Sequence, residues 1–231
     1  MAASAYVFTP CEIPSLPVVG SDARFPIHRV YCVGRNYAAH AIEMGHDPDQ
    51  EPPFFFQKNP DNVLGDGKPF PYPGATSDVH HEVELVVALS SGGRDIAAAD
   101  AMAHVYGYAL GIDFTRRDIQ AVAKKMGRPW EAAKAFEHSA PCGAIVPAAA
   151  GPNLDDAAIR LEVNGAVRQE GNLNQLIWKV PEVIAHLSRL FELRAGDLIM
   201  TGTPSGVGAV VRGDRLRASV AGMDDLVLEV V

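Results

Sequence analysis

Residues 78–89, DVHHEVELVVAL, combine an apolar run with charges that such a run normally lacks. From Val83 onward the segment is rich in β-branched and aliphatic residues, which is typical of a buried strand. Glu82 and Glu84 lie two residues apart within it, and because side chains alternate along a strand, both carboxylates face the same side. Burying two like charges together is costly unless a partner compensates them. The stretch therefore predicts either a cation beside the two glutamates or a solvated sheet face.

A second apolar run, YGYALGID at 106–113, ends in Asp113. If the two runs pair as neighbouring strands, Asp113 lies beside the two glutamates, and three carboxylates form an oxygen site for a hard divalent cation. Mg²⁺ usually takes a few carboxylates and keeps several waters, whereas a closed oxygen cage suits Ca²⁺ better. His80 and His81 precede the first strand and are alternative ligands, although the spacing typical of a zinc site is absent.

Composition and charge exclude several classes of protein. The chain has 231 residues and a formal net charge of −8, so it is a poor candidate for binding the phosphate backbone of nucleic acids. It contains no apolar run long enough to span a membrane, and its first residues lack the features of a signal peptide. Three widely spaced cysteines (Cys11, Cys32 and Cys142) predict neither a disulfide framework nor a zinc knuckle, which favours a cytoplasmic protein.

The order of helical and strand patterns predicts a β-rich α+β fold, because helices and strands do not alternate as in a doubly wound sheet. Residues 1–28 are expected to form an N-terminal arm with at most one short strand, followed by one catalytic domain over 29–231. The pattern predicts strands at 29–34, 54–57, 82–89 and 106–113, and a hairpin over 159–171 that turns at Asn164-Gly165. It predicts helices at 35–45, 96–105, 116–127 (started by a capping box of Thr115 and Asp118) and 180–193.

One pair of side chains on the predicted helix 35–45 has the spacing of a catalytic dyad. His40 and Glu43 are three residues apart, so they face the same side and can touch. A carboxylate that holds an imidazole raises its basicity, and such a histidine can take a proton from water. The alternative is an incidental pair on an exposed helix.

Isolated cations in apolar surroundings are candidates for binding a substrate carboxylate. Lys58, Lys134 and Arg117 are of this kind, and Gln120 lies one turn beyond Arg117. The alternative is that they are solvated side chains whose stems cover apolar surface, as we expect for Lys124 and Lys125.

The segment TGTPSGVG at 201–208 follows an apolar strand and contains Gly202 and Thr203. A turn of this composition can expose backbone N–H groups towards an oxyanion. It is not a phosphate-binding P-loop, because the Gly-Lys-Ser/Thr ending is missing, and the alternative is a plain tight turn.

Taken together, these segments resemble the fumarylacetoacetate hydrolase family in its short, single-domain form. The matching stretches occur in order between about residues 29 and 208: VGRNYAAHAIEMG, FFFQK, HHEVELVVAL, GYALGIDFTRRDIQ, GRPWEAAKAF, VNGAVRQEG and GDLIMTGTPSGVG. The resemblance implies a β-rich mixed roll that forms a homodimer.

The resemblance also implies a role for each candidate residue. Glu82, Glu84 and Asp113 correspond to the carboxylates that bind Mg²⁺ or Mn²⁺. His40 and Glu43 correspond to a dyad that activates water, and Lys134 to a lysine near the scissile carbonyl. The substrate's keto-acid end is expected to contact Lys58, Arg117, Gln120, Gly202 and Thr203.

The implied reaction is hydrolysis of the C–C bond of a 2,4-diketo acid, an acylpyruvate, with fumarylpyruvate as the expected substrate. The implied alternatives are a general acylpyruvase, an oxaloacetate decarboxylase, a diene-dioate isomerase, or a module that binds a keto acid without turnover. Fumarylpyruvate carries a second carboxylate, which needs a cation at the far end of the site. Arg35 is the first candidate for that contact and Arg128 the second, although Arg35 could instead tie down the helix that follows it.

Overall fold

A computed structural model describes residues 6–38, 52–65 and 67–231 of the chain. Most of its regular elements are strands, which confirms the β-rich α+β class. In chain order the described elements are β1 (Ser15–Val18), β2 (Ser21–Pro26), β3 (Val30–Gly34), β4 (Phe54–Lys58), β5 (Val63–Leu64), β6 (Val79–His81), β7 (Val83–Leu89), β8 (Val105–Ile112), β9 (Thr115–Arg116), α1 (Arg117–Met126), α2 (Glu131–Lys134), β10 (Ala140–Pro141), β11 (Val146–Pro147), β12 (Ala158–Val163), β13 (Ala166–Asn172), α3 (Val180–Leu190), β14 (Leu198–Met200), β15 (Gly208–Val210), β16 (Arg215–Val220) and β17 (Leu226–Glu229).

A six-stranded sheet forms the centre of the molecule, with the strand order β11-β8-β7-β14-β3-β4. All neighbours in it are antiparallel except β14 and β3, which are parallel. Every residue of β7 is buried, because apolar clusters cover both faces of the sheet at this strand. The apolar run from Val83 onward is therefore the buried strand that its composition predicts.

Strand direction brings several strand ends to one edge of the central sheet. β8, β14 and β3 end at this edge, whereas β7 and β4 begin there. This arrangement brings together the residues that follow β8, β14 and β3 and the residues that begin β7 and β4. This edge carries the candidate site.

A four-stranded antiparallel sheet, β13-β12-β16-β17, packs its apolar side against the central sheet. Its first hairpin turns at Asn164-Gly165, where both residues have positive φ (53° and 78°), as a two-residue type I′ turn requires. The predicted hairpin is confirmed.

The N-terminal segment contains two strands, so the expectation of at most one was wrong. β1 and β2 form an antiparallel hairpin, and Leu16 and Phe25 are buried in the apolar cluster beneath the central sheet. The four prolines in this segment concealed the hairpin, because proline weakens a strand pattern without excluding an edge strand.

Two of the predicted helices are confirmed: α1 ends at Met126 and is capped by Gly127 (φ 60°), and α3 starts at Val180. The capping box predicted for α1 was wrong. Thr115 donates its hydroxyl to Glu82 (3.2 Å), and Asp118 accepts from Thr76 (2.7 Å), so both polar groups are engaged by distant segments.

The helix predicted over 96–105 was also wrong, and only a 3₁₀ turn at Ala101–His104 forms. Val105 already belongs to β8 and pairs with Leu89, while the Ser90 N–H donates to the His104 carbonyl (2.9 Å). Sheet pairing therefore outweighs the helix preference of a short alanine-rich run. No helix in the described residues is long and apolar enough to cross a membrane.

Candidate metal centre and its cleft

Three buried carboxylates meet at the edge of the central sheet. Glu84 lies in β7, Asp113 directly follows β8, and the two strands pair with Val83 opposite Ile112, which fulfils the condition on which the predicted site depends. Glu82 does not belong to the strand, because the chain passes there from the three-stranded sheet β15-β6-β9 into the central one. Ligand atoms of Glu82, Glu84 and Asp113, hereafter the carboxylate triad, all lie within 4.8 Å of one another.

Three cations, hereafter the inner cations, contact two members of the triad. The Lys134 Nζ donates to Glu82 Oε2 (2.8 Å) and to Asp113 Oδ2 (2.6 Å). Arg117 donates to Glu82 Oε1 (2.6 Å), and the Lys58 Nζ lies 2.8 Å from Asp113 Oδ1. Glu82 and Asp113 are thus paired in a buried network, which lessens the cost of burying their charges.

Glu84 is held differently from the other two carboxylates. It accepts the backbone N–H of Gly202 (2.8 Å) and makes no ion pair within the described parts of the chain. Burial raises the pKa of Glu84, and the negative charges of Asp113 and Glu82 raise it further. Gly202 is required at this turn, because its φ is +98° and a Cβ there would lie 2.8 Å from the Cβ of Asn36.

The donor set fits a hard divalent cation. All ligand atoms are carboxylate oxygens, all three residues are buried, and the negative charge of Glu84 has no cationic contact among residues 6–38, 52–65 and 67–231. Mg²⁺, Mn²⁺ and Ca²⁺ prefer such oxygen ligands, whereas Zn²⁺ prefers nitrogen and sulfur. The alternative ligands, His80 and His81, bond other residues: His80 Nε2 contacts Asp78 Oδ1 (2.9 Å), and His81 Nδ1 contacts Gln169 Oε1 (2.8 Å).

Lys134 has a second property relevant to chemistry. Burial lowers its pKa, but the negative charges of Asp113 and Glu82 outweigh that effect, and the net pKa is raised. The side chain is therefore an ammonium at neutral pH. It lines the cleft beside the triad, where it can donate hydrogen bonds to a developing oxyanion.

The cleft above the triad collects most of the predicted substrate contacts. Arg35, Arg117, Gln120 and Thr203 line its wall, and Arg117 donates to Gln120 Oε1 (2.7 Å). Lys58 is instead placed beneath the triad, where its Nζ also donates to Ser139 Oγ (2.9 Å). Its side chain is fully buried, so it supports Asp113 from below the cleft floor.

Lys124 corrects an expectation, because the sequence suggested a solvated side chain. It is half-buried and lines the cleft, while its neighbour Lys125 is exposed. The spacing of Arg117, Gln120 and Lys124 (i, i+3, i+7) places them on one helix face, and this signal could have identified Lys124 in the sequence.

Gln169 is a further site residue that the sequence did not single out. Its Oε1 accepts from His81 Nδ1 (2.8 Å) and the Val83 N–H (3.1 Å), and its Nε2 donates to Thr203 Oγ1 (2.8 Å). Gln169 thus connects the strand that carries Glu84 to the turn that follows β14. It is fully buried, so none of these bonds competes with bulk water.

His40 and Glu43 lie outside the described residues. The chain leading to them is fixed at Asn36, whose side chain donates to the carbonyls of Trp178 (2.9 Å) and Thr201 (2.8 Å). Because Thr201 directly precedes Gly202, the segment that carries the predicted dyad starts from the turn that holds Glu84.

The β-rich α+β fold carries a buried all-oxygen triad that suits a divalent cation, at the floor of a cleft lined by cations, which is the arrangement of a metal-binding enzyme. The chain belongs to the fumarylacetoacetate hydrolase family, since residues 29–231 match the profile described as Fumarylacetoacetate (FAA) hydrolase C-terminal.

Three relatives illustrate the similarity. A fumarylpyruvate hydrolase from Pseudomonas aeruginosa, crystallised in complex with Mn²⁺ and pyruvate, is 50% identical with a TM-score of 0.94, covering 98% of this chain and 99% of its own. The fumarylpyruvate hydrolase of a Ralstonia species is 45% identical over 80% of this chain and 95% of its own length. A mitochondrial oxaloacetate decarboxylase from Dictyostelium discoideum is 39% identical over 85% and 90%, respectively.

Proposed function

We propose that the protein is a metal-dependent hydrolase that cleaves the C–C bond of a 2,4-diketo acid, with fumarylpyruvate as its substrate and fumarate and pyruvate as products. The observation that carries the proposal is the buried carboxylate triad at the floor of a cleft lined by Arg117, Gln120 and Lys134. The likeness to two fumarylpyruvate hydrolases, one with Mn²⁺ and pyruvate bound, supports the substrate.

The triad is proposed to hold Mg²⁺ or Mn²⁺. Bound there, the ion supplies Lewis acidity that stabilises the pyruvate enolate released on cleavage. Arg117 and Gln120 lie on the cleft wall next to Glu82, where a guanidinium and an amide can bind the carboxylate of the keto-acid end.

The remaining steps are assigned to Lys134 and to the dyad. When a bound cation compensates the triad, the Lys134 ammonium can donate to the oxyanion that forms at C4, a contact worth a few kcal/mol of barrier. His40, oriented by Glu43, takes the proton from the attacking water, and hydroxide adds to the C4 carbonyl. The C3–C4 bond then breaks, and its electron pair goes to the pyruvate enolate, which is protonated at C3.

Oxaloacetate decarboxylation is the second candidate, because the Dictyostelium relative carries that name. That reaction needs no attacking water, so His40→Ala should abolish acylpyruvate hydrolysis and leave decarboxylation in place. If the protein decarboxylates oxaloacetate and turns over no acylpyruvate, the hydrolase proposal is wrong and decarboxylation takes its place.

The deciding experiment follows the loss of enol absorbance for a panel of acylpyruvates with Mg²⁺ or Mn²⁺ present. We expect hydrolysis of fumarylpyruvate that stops in excess EDTA and returns with added ion. Absence of turnover with every acylpyruvate, or full activity in EDTA, would contradict the proposal. The resemblance also supports a homodimer. Size-exclusion chromatography with light scattering tests this directly by measuring the mass of the protein in solution.

A further inference from the structure

Lys124 lies one helical turn beyond the residues assigned to the keto-acid end of the substrate. Arg117, Gln120 and Lys124 occupy one face of α1, and all three line the cleft. Lys124 is therefore the residue of this row farthest from Arg117, the side chain that contacts the carboxylate triad. No role assigned so far uses its charge.

Two aromatic rings hold cations at this outer part of the cleft. The Lys124 Nζ lies 5.3 Å from the centroid of the Trp130 ring, and the Arg35 Cζ lies 5.1 Å from the centroid of Phe54. Phe54 and Trp130 meet edge to face, with centroids 5.3 Å apart. Lys124 and Arg35, hereafter the outer cations, thus each lie against one ring of this aromatic pair, and both line the same cleft.

The backbone conformation of Arg35 also supports a role in ligand binding. Its φ is 57°, in the left-handed region that residues other than glycine seldom adopt. Such conformations persist where the surrounding structure enforces them, and they are concentrated at ligand-binding sites. Arg35 directly follows the end of β3, and its guanidinium lies over the Phe54 ring.

The ammonium of Lys124 makes no ion pair with a carboxylate in the described residues and lies over the Trp130 ring. Burial lowers the pKa of Lys124, and the positive charges of Arg117 and Arg35 lower it further. A half-buried cation among like charges gains more from a bound anion than a cation that is already paired. This distinguishes Lys124 from Arg117 and Lys134, which are engaged by the carboxylate triad.

A second depression adjoins the cleft at the aromatic pair. It shares Arg35, Phe54, Phe56 and Trp130 with the first as lining residues. A planar unsaturated chain can lie against these rings while the charged end stays near the outer cations.

From these observations we infer that Lys124, assisted by Arg35, binds an anionic group at the far end of the substrate, so that the acyl part of the substrate ends in a carboxylate. The inference rests on the proposed function. It makes Lys124 the residue by which the enzyme discriminates between dicarboxylate and monocarboxylate acylpyruvates. The sequence pointed to Arg35 for this contact, and the structure adds Lys124 as the principal group.

The test compares two substrates in three variants. Lys124→Met keeps the length of the side chain over Trp130 and removes the charge, Lys124→Arg keeps the charge, and Lys125→Met removes the exposed neighbouring charge as a control. In Lys124→Met the ratio of kcat/KM for fumarylpyruvate over acetylpyruvate should fall by roughly tenfold to a hundredfold, the effect of one lost charge-assisted contact. Lys124→Arg should recover most of that ratio, and Lys125→Met should match the wild type.

An unchanged ratio of kcat/KM for the two substrates in Lys124→Met, whether both substrates lose activity equally or neither does, would overturn the inference.

If the wild type hydrolyses neither substrate, the proposed function is wrong, and calorimetry of ligand binding tests the inference separately. Fumarate should bind at least about tenfold more weakly to Lys124→Met than to the wild type, whereas crotonate, which has one carboxylate, should not. Equal affinity of the two proteins for fumarate would exclude a role for Lys124 in binding anions.

Discussion

Replacing Glu84 by glutamine should stabilise the protein when no divalent cation is present and remove its stabilisation by the cation. Glutamine keeps the oxygen that accepts the Gly202 N–H and removes a buried charge that no ion pair in the described residues compensates. Because the pKa of Glu84 is raised in the folded protein, the cost of its charge is absent at low pH and appears as pH rises through that pKa.

The size of both effects can be worked out for a measurement at pH 8. A buried charge without a partner costs about 1–3 kcal/mol. For 231 residues the entropy of unfolding is about 0.5 kcal/mol per degree, so Glu84→Gln should raise the Tm of the cation-free protein by about 2–6 °C. Mn²⁺ at a hundred times its Kd should add about 2.7 kcal/mol, or about 5 °C, to the wild type. A hundredfold loss of affinity would reduce that gain to about 0.4 kcal/mol, less than about 1 °C.

The assay is calorimetric unfolding in EDTA and in Mn²⁺, with Glu229→Gln as a control of equal charge change on the exposed side of β17. The control should behave like the wild type under both conditions. The reasoning is refuted if Glu84→Gln lowers the cation-free Tm and leaves the gain from Mn²⁺ unchanged, because Glu84 would then be a structural acceptor and not a ligand.

The remaining predictions concern the dyad and the buried amide. His40→Ala and Glu43→Ala should each remove much of kcat for fumarylpyruvate. The double variant should be little worse than the worse single variant, because coupled catalytic residues act as a unit. Strictly additive losses in steady-state kinetics would show that the two residues act separately. Gln169→Leu should raise KM and lower the free energy of unfolding by about 1–3 kcal/mol, since Thr203 loses its donor and His81 its acceptor. An unaltered KM with lowered stability would show that Gln169 supports the fold alone.

β7 and β8 were predictable as strands because both are long apolar runs, one containing Glu84 and the other followed directly by Asp113, whereas their pairing was an assumption that the structure bears out. Once the two strands pair, the positions of Glu84 and Asp113 follow from alternation along the strand. The hairpin at Asn164-Gly165 was predictable for a different reason, since this dipeptide accommodates the two positive φ angles of its turn.

The parts that could not be predicted depend on contacts between distant segments. Gln169 lies 88 residues from His81 and 34 residues from Thr203, and no local pattern relates these positions. Lys124 reads as a surface residue in the sequence because the ring that covers it, Trp130, lies beyond the end of its helix. The run 96–105 has the composition of a helix and loses that structure to the pairing of its last residue in β8.

The pairing of the carboxylate triad with the inner cations sets an order in which the site is filled. Three negative and three positive formal charges cancel at the triad, so before a cation binds only the outer cations attract a doubly charged anion. Once a divalent cation is bound, the same centre carries an excess of two positive charges, which equals the charge of a dicarboxylate. The requirement that a buried site stay near neutral charge thus favours binding of the cation before the substrate. It also allows the cation to remain bound when the products dissociate.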